Sequence, residues 1–146
     1  MIKVIGTGSY LPKKVLTNKD LEKIVDTTDE WITQRSGIKE RHIAAKNEST
    51  SDLAVQAANR ALKMANLKPK DIELIILGTS TPDHPIPACA PIVQRKLGCS
   101  NIFAFDVNSV CTSFTAAFAN AYSLLATGFY NNCLVIGADI YSRILN

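Results

Sequence analysis

A chain of 146 residues, 47% hydrophobic and 20% charged, carries enough apolar side chain for one domain with a real core and is not a disordered segment. Its formal net charge of +3 comes without a basic cluster or stripe. That disfavours a dedicated nucleic-acid binder and is compatible with an anionic ligand. No run approaches the roughly 18 apolar residues of a membrane span, and the start MIKVIGTGS lacks the apolar region of a signal peptide, so a cytoplasmic protein is expected.

In chain order, residues 1–5 form a short apolar strand candidate leading into Gly6-Thr7-Gly8-Ser9. A G-x-G after a strand suggests a dinucleotide loop, but the third glycine is missing and Pro12 stands where the helix would start, so a plain turn is preferred. Thr17-Asn18 opens a helix, with Leu21, Ile24 and Val25 at helical spacing. Thr27 with Glu30 fits a capping box for a second short helix running through Trp31 to Arg35, and Gly37 suits the position just past its end. Residues 38–45 are extended or a loop.

Ser49–Asp52 starts the clearest helix, with an apolar face of Leu53, Ala54, Ala57, Ala58, Ala61, Leu62 and Ala65. IELIILGTS follows as a buried strand, then the proline-rich loop TPDHPIP, then a short helix ending at Gly98. NIFAFDV is a strand that runs through a turn into a long helix ending at Thr127-Gly128. That helix has no charged residue, so burial nearly all round is expected. CLVIGADI is expected to be a central strand. Strands that are continuous apolar runs, alternating with helices, predict an α/β protein whose sheet is mainly parallel and covered on both faces.

The cysteines are Cys89, Cys99, Cys111 and Cys133. Their spacing shows no C-x-x-C and no histidine at a ligand-like interval, so no zinc site and no disulfide is expected. Cys111 differs by position, at the turn between a strand and the first turn of a helix. Unpaired N–H groups and the helix dipole favour a thiolate there. On position alone, a packed thiol and a nucleophile both remain open.

The segment DVNSVCTSFTAAF resembles the active-site strand and helix of the thiolase-like condensing enzymes. Within that group, IGTGSYLP, TNKDLEK and DTTDEWITQRSGIKERHIA resemble the β-ketoacyl-acyl-carrier-protein synthase III family, which initiates bacterial type II fatty acid synthesis. The resemblance runs from Ile2 to about Arg143. It implies a thiolase-like fold, a mixed, mainly parallel sheet between helix layers. Residues 1–146 then form a single N-terminal domain, an incomplete first copy of two duplicated halves. It implies that Cys111 takes an acyl group from acyl-coenzyme A as a thioester. Trp31 and Arg35 line the coenzyme A entrance, with the indole on the adenine, and Thr27 is a nearby polar contact. Ile86 stands in a loop that crosses a homodimer interface and closes the partner's acyl pocket, at a position where better-known members carry an aromatic residue. The second substrate is malonyl-acyl-carrier protein. No cofactor, metal, nucleic acid or membrane is involved; coenzyme A enters as the thioester substrate.

The family's catalytic His and Asn belong to the other half. His42 and His84 match neither position, and a structural or surface role is expected for both. Thr112-Ser113 follow Cys111 where many members have Ala-Gly. The fragment alone is expected to be inactive in condensation and to expose an apolar face meant for its twin half. Two further readings stay open: another acyl-coenzyme A condensing enzyme or acyltransferase of the same fold, and a non-catalytic fragment that binds coenzyme A or pairs with another chain.

Overall fold

Capping and hydrophobic period build the elements, and long-range pairing sorts them into two units. The structure is a computed structural model that describes residues 1–144. The smaller unit comprises Leu11–Glu48 with the described residues from Ile140; the larger comprises Met1–Tyr10 and Ser49–Asp139.

In the smaller unit, β1 (Lys14–Thr17) pairs antiparallel with β2 (Glu40–Ile43), Lys14 opposite Ile43. β2 answers the expectation of an extended run; β1 is an element the sequence pattern does not announce. Thr17 and Asp20 form a capping box on α1 (Asn18–Leu21). The expected continuation through Ile24 and Val25 does not occur, because the Leu21 carbonyl takes the N–H groups of both and closes a turn, leaving both side chains exposed. In α2 (Asp29–Ser36) the cap is Thr28, one residue later than Thr27; its hydroxyl accepts from the Trp31 N–H. Gly37 ends α2 at φ 72°, a left-handed conformation that favours glycine. Buried Asn18 ties the unit together, donating through Nδ2 to Asp29 Oδ1 at 2.7 Å and to the Ile38 carbonyl at 2.8 Å. Arg143 donates to the carbonyls of Ala45, Lys46 and Glu48.

The larger unit contains α3 (Thr50–Ala65), β3 (Leu74–Gly78), α4 (Cys89–Leu97), β4 (Phe103–Val107), α5 (Ser113–Ala126) and β5 (Leu134–Gly137). Its sheet has the order β4-β3-β5, parallel throughout. Among the described strands, the antiparallel pairing belongs to the smaller unit alone. β3 is the central strand, and β5 pairs with β3 only among the described strands, which corrects its expected central place. β3 is buried over its whole length. Ile75 and Leu77 join the core under α3 and α4, while Leu74 and Ile76 join the core under α5. Burying each such side chain contributes about 1.5–3 kcal/mol relative to exposure.

Two expectations fail here. Residues 1–5 form no strand, because no described strand pairs with them, and Val4 and Ile5 stay exposed. The following glycines run against α3 instead: a Cβ on Gly6 would collide with the Ala61 carbonyl, and one on Gly8 with the Ala57 carbonyl. The G-x-G is thus a close approach of backbone to helix. The second failure is α5. It buries only Ser113, Ala117 and Ala121 against the sheet, and leaves Phe114, Phe118 and Tyr122 exposed.

Candidate active site

β4 ends at Val107 and the chain turns sharply to reach α5. Asn108 Oδ1 accepts from the Val110 N–H, and Val110 takes φ 49°, an unfavourable conformation for a β-branched residue. A short 3-10 turn, Val110–Thr112, follows, and α5 begins only at Ser113. Cys111 therefore lies one turn before the helix rather than inside its first turn. Ser113 is buried: its hydroxyl donates to the Val110 carbonyl at 2.7 Å and accepts from the Ser109 N–H at 2.9 Å. The Thr112 hydroxyl bonds the Ser109 carbonyl at 2.8 Å. The Thr112 and Ser113 hydroxyls thus lock the turn that carries Cys111.

The sheet beneath is shaped to receive this turn. Gly78 of β3 and Gly137 of β5 are register partners. A Cβ on Gly78 would stand 2.6 Å from the Ser113 carbonyl carbon and oxygen, and one on Gly137 would stand 2.9 Å from the Phe114 ring. Paired glycines let the start of α5 settle onto the strand ends, and so hold the Cys111 turn at the C-terminal edge of a parallel sheet. Ligands of open α/β sheets bind at that edge.

The four cysteines separate by environment. Cys89 and Cys99 are buried and Cys133 is half-buried, whereas Cys111 is exposed. Burial pushes the Cys89 and Cys133 thiols up to about 12, and pushes Cys99 up as well. A thiol held protonated is a poor nucleophile. Geometry therefore leaves Cys111 as the cysteine placed to react.

The loop between β3 and α4 carries Ile86, which is 88% exposed. Its base is tied to Asp139 Oδ1, which accepts from the Ser80 N–H at 2.8 Å and the Thr81 N–H at 3.0 Å. Its far end is tied to Asp106, whose carboxylate accepts from the N–H groups of Cys89 and Ala90 at 2.7 and 2.6 Å. These bonds also cap α4, whose N-cap residue Ala88 has no side chain to do so. His84 in this loop is exposed.

In the smaller unit, Trp31 is 55% exposed, so it is no staple between helices. The Arg35 guanidinium lies 4.8 Å from its ring centroid, a cation–π pair at i, i+4 on α2. Trp31 and half-buried Thr27 line a shallow depression of about 260 Å³ together with Asp26 and Thr28. Thr27, Trp31 and Arg35 are thus brought together, around an aromatic face open to solvent. His42 is structural: its Nδ1 lies 2.5 Å from the Pro12 carbonyl. Among the described residues no group of three or more His, Cys, Asp or Glu could hold a metal ion, and no helix is long and apolar enough to cross a membrane.

Comparison with known proteins bears on the same residues. The family model for 3-oxoacyl-[acyl-carrier-protein] synthase III matches residues 105–146, which include Cys111. A β-ketoacyl-[acyl-carrier-protein] synthase III of Caldanaerobacter subterraneus is 55% identical over 98% of this chain and 43% of its own length. The crystal structure of the 3-oxoacyl-[acyl-carrier-protein] synthase III of Aquifex aeolicus superposes with a TM-score of 0.95 at 51% identity, over 99% of this chain and 46% of that one. The priming β-ketosynthase of the R1128 polyketide pathway superposes at 0.94 with 30% identity, over 99% of this chain and 43% of that one. Over almost its whole length the chain is similar to the β-ketoacyl-acyl-carrier-protein synthase III family. Its fold is the α/β, thiolase-like fold of that family. It spans less than half the length of the family members it matches here.

Several residues that shape the site are not marked by the sequence. Asp106, Asp139 and Gly78 act through partners far along the chain. One signal was available for Asp106: a carboxylate in an otherwise apolar strand, ahead of no cap residue for the preceding helix.

Proposed function

We propose that the complete protein is a cytoplasmic β-ketoacyl-acyl-carrier-protein synthase III, a condensing acyltransferase that primes fatty acid synthesis. The observation that carries this reading is the exposed Cys111, on a turn at the sheet's C-terminal edge, beside three buried or half-buried cysteines. The Cys111 sulfur attacks the carbonyl carbon of a short acyl-coenzyme A, of which acetyl-coenzyme A is the simplest. The new carbon–sulfur bond forms as the bond to coenzyme A breaks, and coenzyme A leaves as its thiol with the proton that Cys111 gives up. Malonyl-acyl-carrier protein then loses carbon dioxide, and the resulting enolate carbon attacks the acyl-cysteine. Cys111 departs and β-ketoacyl-acyl-carrier protein is released. Covalent catalysis splits one difficult carbon–carbon bond formation into two easier steps. Backbone N–H groups, that of Cys111 among them, hold the thioester oxygen as charge develops on it.

Trp31 offers its face to the adenine, Thr27 a polar contact, and Arg35 a guanidinium for stacking or phosphate. Ile86 is read as a wall of the acyl pocket at a homodimer interface, and an aliphatic wall changes its depth. The His and Asn that would polarise the malonyl thioester belong to the length of the relatives that this chain does not span. The 146 residues alone are therefore expected to bind coenzyme A and to fail at condensation.

The test is turnover by the complete protein with acetyl-coenzyme A and malonyl-acyl-carrier protein. Release of coenzyme A and carbon dioxide with acetoacetyl-acyl-carrier protein as product supports the reading. Coenzyme A release without a β-ketoacyl product would favour an acyltransferase of the same fold. Trp31→Ala is expected to raise the Kd for coenzyme A by roughly tenfold or more, as lost base stacking does.

A further inference from the structure

We propose that Asp83 is a positioning residue that sets which acyl chain the Cys111 site accepts, by holding Ile86 in place. This rests on the reading of Ile86 as an acyl-pocket wall. The loop 80–88 contains Pro82, Pro85 and Pro87 and forms no regular element. Its tip residue Ile86 is almost wholly exposed, so no packing within the unit fixes it. Within the chain, its position comes from tethers that hold the loop.

Two tethers lie at the ends of the loop, at Asp139 and Asp106, and the third lies inside it. The Asp83 carboxylate turns inward and accepts from the Ser51 N–H at 2.8 Å and the Ser51 hydroxyl at 2.5 Å. Ser51 is fully buried at the start of α3. Its oxygen also accepts from Lys96 of α4 at 2.7 Å, and the Cys89 thiol lies 3.6 Å from Asp83. The Thr50 hydroxyl donates to the Thr81 carbonyl at 2.5 Å and adds a tether at the same place. The carboxylate gains from the N-terminal end of α3, where unpaired N–H groups and the helix dipole favour negative charge.

The chemistry makes such a tether relevant to selectivity. One methylene in an apolar pocket is worth about 10–200-fold in discrimination. A displacement of about 1 Å in a positioning group can cost roughly 100-fold. A wall residue that its own unit does not pack keeps that selectivity only while its loop is pinned.

The experiment uses the complete protein and measures kcat/KM for acetyl-coenzyme A and for isobutyryl-coenzyme A. The variants are Asp83→Ala, Asp83→Asn, Ser51→Ala, Ile86→Ala and, as a control, Asp71→Ala. Asp71 accepts from the Lys68 N–H at 2.8 Å on a turn remote in sequence from the loop. We expect Asp83→Ala to change the ratio of the two kcat/KM values by roughly tenfold. Ser51→Ala should move it the same way by less, and Asp71→Ala should lower Tm without moving it. If Asp83→Ala does not fold, Ser51→Ala and Asp83→Asn carry the decision. If the Asp83 and Ser51 variants lower only Tm while Ile86→Ala moves the ratio, Asp83 is merely structural and the proposal is overturned alone. If Ile86→Ala leaves the ratio unchanged, the pocket reading fails and the proposal falls with it.

Discussion

Helices α3 and α5 cover opposite faces of one parallel sheet, and they are built on different terms. α3 buries Leu53, Ala54, Ala58 and Leu62, and turns Gln56, Arg60 and Lys63 to water. Its start is closed by the Ser49–Asp52 capping box. α5 has no charged residue; it buries small residues on the sheet, lays Phe114 over Gly137 of β5, and leaves Phe118 and Tyr122 exposed. An ordinary surface helix keeps its apolar stripe on one side. An aromatic stripe of this kind marks a face made for burial. The helix that follows Cys111 is thus the one with an uncovered aromatic side among the described residues, and the amphipathic helix lies on the opposite face of the sheet.

The sharpest way to break this contrast is to charge both outer faces. In the complete protein, Phe118→Glu is expected to destabilise by about 3–5 kcal/mol, the cost of an unpaired buried charge. Gln56→Glu on the outer face of α3 should stay within about 0.5 kcal/mol. Denaturant unfolding of the two variants measures the difference, and equal small effects would mean that α5 is a plain surface helix. Next in size is Gly78→Ala. Its new methyl would lie 2.6 Å from the Ser113 backbone, where no flexible side chain can yield. A loss of about 1–3 kcal/mol is expected, with slower alkylation or acylation of Cys111 as its turn shifts.

Asp106→Ala removes the carboxylate that caps α4, and should cost about 1–2 kcal/mol in thermal or denaturant unfolding. The smallest effect concerns acid. Burial works against ionisation of Asp52, but hydrogen bonds from Lys96 and Ser49 outweigh it and hold its carboxyl at about 2, against 3.8 for a free side chain. Because the folded value is the lower one, the stabilisation is complete above about 3.8 and is lost as pH falls through about 2. Lys96→Met should therefore flatten the fall in stability across that window. The pair is partly exposed, so the change at neutral pH should be only a few tenths of a kcal/mol.

Local rules made much of the fold legible. Ser49 with Asp52, Gly37 and Gly98 mark helix ends by side chain and backbone preference, and the structure places those ends there. IELIILG reads as a buried strand because both of its faces are covered. Residues 1–5 misled because an apolar run becomes a strand only beside a partner, and Gly6 and Gly8 lay the chain on α3 instead. α5 misled because absence of charge reveals a preference for burial and not the identity of the cover. In the site, Cys111 could be picked out by its junction and by family resemblance. Asp83 and Asp139 could not, since each acts on residues reached only through the fold, and for Asp106 the one signal was a carboxylate in an otherwise apolar strand.

The central claim is that Cys111 alone among the cysteines accepts the acyl group. The direct measurement is the intact mass of the complete protein after incubation with acetyl-coenzyme A, followed by peptide mapping. One acetyl adduct on Cys111 is expected in the wild type and in Cys89→Ala and Cys133→Ala, and none in Cys111→Ala. An adduct that persists undiminished in Cys111→Ala, or that maps to another cysteine, would contradict the account.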